Sequence, residues 1–200
     1  MKTQFIFASC LLVLACTPWD RSYYKPLSTG IYGSNICGKD APNNVVGIEQ
    51  NDGVFIFVTL DSSDKENIVV PRISIYVPTK VTVSLVTDKI DVNDSQSSTD
   101  YAAKITKIQK LVTDESGPNG ASLVYLNPTD LLPGYTNNSF HVGGEIKYGY
   151  EWYYLIIDGI IGNPSNVLTL TLPDMMINGR RFRSEPLRFE RSNYVQHFCG

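Results

Sequence analysis

The sequence predicts an all-β protein: a single antiparallel β-sandwich or, as the alternative, a partly open β-barrel, with at most one short helix. Three observations carry this. Apolar residues come in short runs rich in Val, Ile, Thr, Tyr and Phe, the side chains that suit a pleated, half-buried surface. Segments rich in Asn, Asp, Gly and Pro punctuate those runs. With 200 residues, 42% of them hydrophobic, the chain is long enough for one domain with a substantial core and short for two.

Taken in order, residues 19–32 are rich in Tyr, Ser, Pro and Gly, as expected of a tether leading to a domain. Runs at 45–50 and 54–60 flank Asn51-Asp52-Gly53, a hairpin signal, because glycine supplies the positive φ that such turns require. Two more runs, 73–77 and 81–86, surround Pro78-Thr79-Lys80, and Val81, Val83 and Leu85 alternate with Thr82 and Ser84. Residues 61–67 and 87–100 are rich in Asp, Ser and Asn and are expected as solvated loops. Further strands are expected at 122–126, 140–148, 151–158, 167–172 and 187–191. Within 152–157 both faces are apolar, which predicts a central strand covered on both sides. Residues 101–112 are ambiguous. Ala102, Ile105, Ile108 and Val112 have helical spacing with Lys104, Lys107 and Lys110 on the other side, but a strand starting at Ala103 competes.

The N-terminus reads as an export signal. Lys2 precedes an apolar run from Phe5 to Leu14, and small residues follow. The run is shorter than the roughly 20 residues a permanent membrane helix needs. Val13-Leu14-Ala15-Cys16 resembles the lipobox of bacterial lipoproteins, in which the cysteine is lipidated and becomes the mature N-terminus. The resemblance implies a signal peptide over residues 1–15 and a lipid anchor at Cys16; with the composition and strand pattern, the expected division is an anchor and tether over 16–35 and a β-sandwich domain over 36–200. The alternative is a plain secreted, soluble protein cut at the same bond. Cysteine parity favours lipidation. Cys10 leaves with the signal, and lipidation of Cys16 leaves Cys37 and Cys199 to pair as a disulfide, whereas plain cleavage strands an odd thiol in an oxidising compartment. Thr17 after the cysteine implies outer-membrane sorting in the common Gram-negative pattern. The body of the chain, too, resembles small β-sandwich lipoproteins of bacterial envelopes.

Several chemistries fail on residue types and spacing. A net charge of −3 argues against nucleic acid as a partner, since such modules carry a basic excess. The only histidines are His141 and His197, and a zinc set combining them with Cys37 and Cys199 lacks any tight ligand spacing. Residues 91–102 begin like a calcium loop but place Gln96 where glycine is required and Ala102 at the last ligand position. No G-x-S-x-G nucleophile motif is present, and a Ser–His141 pair has no positional signature. Glu145, Glu151 and Asp158 are the best carboxylates for a hydrolase acting on glycan or peptide. Neither a metal nor a cofactor is expected.

What remains is suited to binding. Tyrosines and a tryptophan cluster at Tyr148, Tyr150 and Trp152, and rings with a polar tip make good contacts to sugars, peptides and proteins. Arg180, Arg181 and Arg183 open a basic C-terminal segment that also holds Arg188 and Arg191. The expected function is therefore non-enzymatic: a protein held on the outer membrane by its lipid, binding an envelope protein or glycan or supporting an assembly. The rival is an envelope hydrolase using the carboxylates or a Ser–His141 pair. Labelled fatty acid is expected to enter the wild-type protein and not a Cys16→Ser variant. Unlabelled wild-type protein released freely from the membrane excludes the anchor.

Overall fold

A computed structural model describes residues 19–33, 42–63, 67–95, 99–113, 121–134, 138–142, 145–158 and 161–196. Residues 1–15, expected as a signal peptide, and Cys16, Cys37, His197 and Cys199 lie outside the described residues. The described residues form strands β1 (Trp19–Pro26), β2 (Ile31–Gly33), β3 (Val45–Glu49), β4 (Phe55–Ser63), β5 (Ile68–Pro78) and β6 (Thr82–Leu85). There follow β7 (Lys89–Asp94), β8 (Thr99–Thr113), β9 (Ala121–Leu126), β10 (Leu132–Pro133), β11 (Asn138–Val142) and β12 (Glu145–Asp158). The last are β13 (Ile161–Gly162), β14 (Val167–Thr171), β15 (Met175–Ile177), β16 (Arg180–Phe182) and β17 (Leu187–Gln196). The protein is all-β and antiparallel, and its only helical element among these residues is a single 3-10 turn at Asn51–Gly53.

Thirteen strands form one sheet along the path β1-β17-β14-β7-β8-β12-β5-β4-β3-β2, with β9, β11 and β13 attached to β8, β12 and β5. The sheet curls on itself. β1, at one end of the path, packs against β4 and β3 near the other, and Ser62 Oγ donates to the Ser22 carbonyl across that seam at 2.9 Å. The architecture lies between a sandwich and a nearly closed barrel. A second sheet, ordered β10-β6-β15-β16, is built from segments between β5 and β7, β9 and β11, and β14 and β17. Its Val83, Leu85, Leu132, Met175 and Ile177 join Ile56, Ile73, Ile90, Leu155 and Phe189 in one apolar core, so the small sheet closes one end of the large one. Buried and open positions alternate along β5 and β7, as a strand with one face on the core requires.

The β3–β4 hairpin turns at Asn51–Gly53 as expected, with Asp52 at φ 59° and Gly53 at φ 72°. Four other expectations are corrected. Residues 19–26, read as tether, form β1 and pair along their whole length with β17. The polar loop read at 87–100 contains β7, where Ile90, Val92 and Asp94 are buried between exposed Lys89, Asp91 and Asn93. Polar composition hid a strand because its wet face and its buried aspartate are both hydrophilic. The run at 140–148 is a hairpin, β11 turning into β12, rather than one strand. Fourth, β12 is central, with β5 and β8 on its two edges, but its outer face is only partly covered.

Residues 101–112 resolve as strand. Ile156 pairs with Lys107 and Ile157 with Ile105, which leaves Thr106 as the extra residue of a bulge in β8. The bulge carries the buried positions from Ala103 and Ile105 to Ile108. A three-residue step in an otherwise two-residue pattern is what imitated a helix.

Beneath the curl, Tyr24 of β1 is fully buried and its hydroxyl donates to the Ser165 carbonyl at 2.8 Å. Ser165 N in turn donates to the buried Asp94 carboxylate at 3.0 Å, which ties β1 to β7 and the approach to β14. Burial pushes the Tyr24 phenol up to about 12, with Arg191 opposing and Asp94 adding to the shift. The phenol is neutral in both folded and unfolded states below its ordinary value of 10.0, so this contribution is complete there. As pH rises from 10 towards 12 the unfolded chain ionises first, and stability falls. Denaturant titrations should show the wild type losing on the order of 2 kcal/mol relative to Tyr24→Phe across that window. At pH 7 the Phe variant should be less stable by about 1 kcal/mol, the usual worth of the lost hydrogen bond.

Candidate functional site

Antiparallel register sets residues of neighbouring strands side by side on one face, and here it assembles an aromatic outer surface. One row runs Tyr125 (β9), Gln109 (β8), Tyr154 (β12), Ser74 (β5), Phe57 (β4) and Gly47 (β3). The next row sets Trp152, Tyr76, Phe55 and Glu49 side by side. Gly47 is needed beneath Phe57, since a Cβ there would stand 2.6 Å from the phenyl ring. Tyr76 and Trp152 lie nearly parallel, 16° apart, with centroids at 6.3 Å.

The β11–β12 hairpin leans over part of this face. Phe140 of β11 stacks on Tyr76 at 4.2 Å and meets Phe55, Phe57 and Tyr150 edge-on at 4.8–6.0 Å. These rings form a second apolar cluster on the side of the sheet opposite the main core. A register shift between Asn138 and Ser139, with Gly149 at φ 80°, turns Tyr150 towards the cluster and Tyr148 to the other side of the hairpin. Burial raises the phenol pKa values of Tyr76 and Tyr150; at Tyr150 the Lys147 charge opposes the shift and Glu49 adds to it. Both hydroxyls therefore stay neutral, and able to donate hydrogen bonds, across the physiological range.

Away from Phe140 the face is open. Trp152 is 40% exposed, Tyr125 52% and Leu123 49%, and the Lys107 ammonium stands 5.4 Å from the Tyr125 ring centre. Such a surface can stack on the apolar side of a sugar ring or bury apolar side chains of a protein, with Gln109, Lys107 and tyrosine hydroxyls supplying direction.

The expected binding residues are brought together only in part. Tyr150 and Trp152 belong to the aromatic face. Tyr148, 71% exposed, looks away from it. Arg180 and Arg181 lie on β16 of the small sheet, where Arg181 holds Asp174 through Nε at 3.0 Å and Nη2 at 2.8 Å. Arg183 lines a groove of about 290 Å³ with Ser28, Ser184 and Glu49, the last at the end of the second aromatic row.

The three carboxylates weighed for hydrolysis occupy different environments. Glu145 is exposed and paired with Lys147 at 2.8 Å, which holds its carboxyl below the ordinary value through a hydrogen bond and through charge. Asp158 is exposed at the far end of β12, and His141 is exposed on β11. Glu151 is fully buried on the core side of β12. Lys110 Nζ stands 3.0 Å from its Oε2, outside hydrogen-bond geometry, and among the described residues neither carboxylate oxygen has a hydrogen-bond donor. Among the described residues no group of three or more His, Cys, Asp and Glu is placed to hold a metal ion.

Sequence reasoning missed Tyr125, Leu123, Tyr76 and Phe57 as surface residues. One signal was legible: Ser122-Leu123-Val124-Tyr125-Leu126 has no polar alternation, although it lies on a strand with a single neighbour. The chain matches no family model, no curated protein and no solved structure.

The buried pair makes a stability prediction. Lys110→Met strands the Glu151 charge and should destabilise the fold by about 3–5 kcal/mol in denaturant titrations. Lys110→Met combined with Glu151→Leu removes both charges and should recover most of that loss.

Proposed function

We propose that this chain is a lipid-anchored protein of the bacterial envelope that acts without catalysis, binding an envelope protein or glycan or supporting an assembly through its aromatic outer face. One observation carries the reading. β12, β8 and β9 are neighbours in the large sheet and β12 lies over the core, yet Trp152 of β12 and Tyr125 and Leu123 of β9 are all left open on the outer face. Apolar surface left in water forgoes about 25 cal/mol per Å² of stabilisation, so several large side chains left open on one face favour a partner that covers them. The anchor and the envelope address rest on residues 1–17; the contact surface rests on the fold. A hydrolase would bring acids together, and here Glu145, Glu151 and Asp158 point to separate surroundings.

The test uses a photo-reactive side chain at Trp152 in living cells, with the same group at Tyr148 as the control on the opposite side. A defined envelope component should be captured from position 152 and not from 148. Trp152→Ala with Tyr125→Ala should weaken binding of that component by at least about tenfold, as truncation of aromatic hot spots does, while thermal unfolding stays near the wild type. Undiminished binding by the double variant rules out this surface. Loss of cellular function in a folded, correctly localised Glu145→Gln or His141→Ala variant favours the hydrolase instead.

A further inference from the structure

A strand edge exposes unpaired backbone N–H and C=O groups, and proteins ordinarily blunt such edges with short strands, charges or cover. Among the described residues, the edges other than that of β9 are short, charged, polar or covered. β2, β10, β13 and β16 have two or three residues each, and β16 also carries Arg180 and Arg181. β11 carries Asn138, Ser139 and His141, and the long β1 lies against β4 and β3. β9 is the exception. Its six residues, Ala-Ser-Leu-Val-Tyr-Leu, include no charge and no proline, and pair only with β8. Leu123, Val124 and Tyr125 are all exposed, so both faces of the strand are apolar.

We infer that β9 pairs antiparallel with β9 of a second copy of this chain, joining two large sheets edge to edge. Symmetry restricts the register. A two-fold axis perpendicular to the sheet carries each face onto itself, so paired positions must lie on the same face and their numbers differ by an even count. Of the registers this allows, the one centred on Val124 sets Val124 against itself on the core side and Leu123 against Tyr125 of the other copy on the outer side. It also sets Ser122 against Leu126. This register joins all three exposed apolar side chains to one another. Centring on Leu123 instead pairs Ser122 with Val124 and Ala121 with Tyr125, which buries less apolar surface. No charge on either strand opposes the pairing. The outer face of one copy then runs into that of the next through Leu123 and Tyr125. The inference goes beyond the proposed function, because Val124 lies on the face opposite Trp152 and can be altered without touching the aromatic surface.

The experiment is register-specific crosslinking of the mature protein in membranes. Across the axis the two Val124 Cβ atoms stand about 5 Å apart, close to disulfide reach, whereas two Ser122 Cβ atoms stand more than about 14 Å apart. Val124→Cys under mild oxidation should yield a covalent dimer whose linked peptides join position 124 to itself, and Ser122→Cys should not. In the purified wild type, sedimentation should show monomer–dimer exchange. Val124→Asp, which sets like charges face to face, should raise the dissociation constant at least about tenfold. No 124–124 link in a folded Val124→Cys variant overturns the inference. So does equal crosslinking at positions 122 and 124, or a wild type that stays monomeric at all concentrations.

Discussion

The structure depends on the way β12 shares its two edges. β5 takes residues 150–155 on one side and β8 takes residues 153–158 on the other, so only Tyr153, Tyr154 and Leu155 have both neighbours at once. Through that short overlap the two halves of the curled sheet are joined. On the core side Tyr153 and Leu155 are buried, and the Tyr153 hydroxyl reaches the Pro133 carbonyl at 2.6 Å, fastening β10 of the small sheet to the large one. Above the overlap the pairing changes. β12 continues with β11, and β8 continues with β9. These two extensions carry the exposed apolar side chains that the closed part of the fold does not need.

A sheet of this kind has two faces with different demands. The inner face must be apolar because the small sheet and the far wall of the curl enclose it. The outer face need not be, and on β7 and the first half of β8 it is not: Asp91, Asn93, Ala102 and Lys104 are exposed there. On β4, β5 and β12 it is aromatic, and Phe140 covers only part of it. The buried Glu151–Lys110 pair adds a further constraint. An ion pair taken out of water gains little stability and penalises any packing that separates the partners, so it holds β8 and β12 at the point where they begin to diverge.

Much of the fold was legible because side-chain period reports pleat. The hairpin around Asn51-Asp52-Gly53, the strand at β5 and the central place of β12 follow from local pattern. The errors have physical causes. The bulge at Thr106 inserts one residue into a two-residue repeat and produces helical spacing. Asp94 is buried but satisfied by Ser165, so hydropathy alone places it in a loop. The first strand is rich in Tyr, Ser and Pro and owes its order to pairing with β17, some 170 residues away in sequence. Of the aromatic face, Tyr150 and Trp152 were found as a local cluster. Tyr76, Phe57 and Tyr125 were not, because register between strands distant in sequence is what sets them beside those two.

By itself the sequence determined the all-β class and the short strands with their turns, since each depends on chemistry within a few neighbouring positions. Tertiary structure decided which strands pair, that the sheet curls on itself, and which face of β12 stays open. Those outcomes depend on where residues far apart in the chain come to lie. A side chain's neighbours across a sheet are set by register and curvature, and neither is written in the local period.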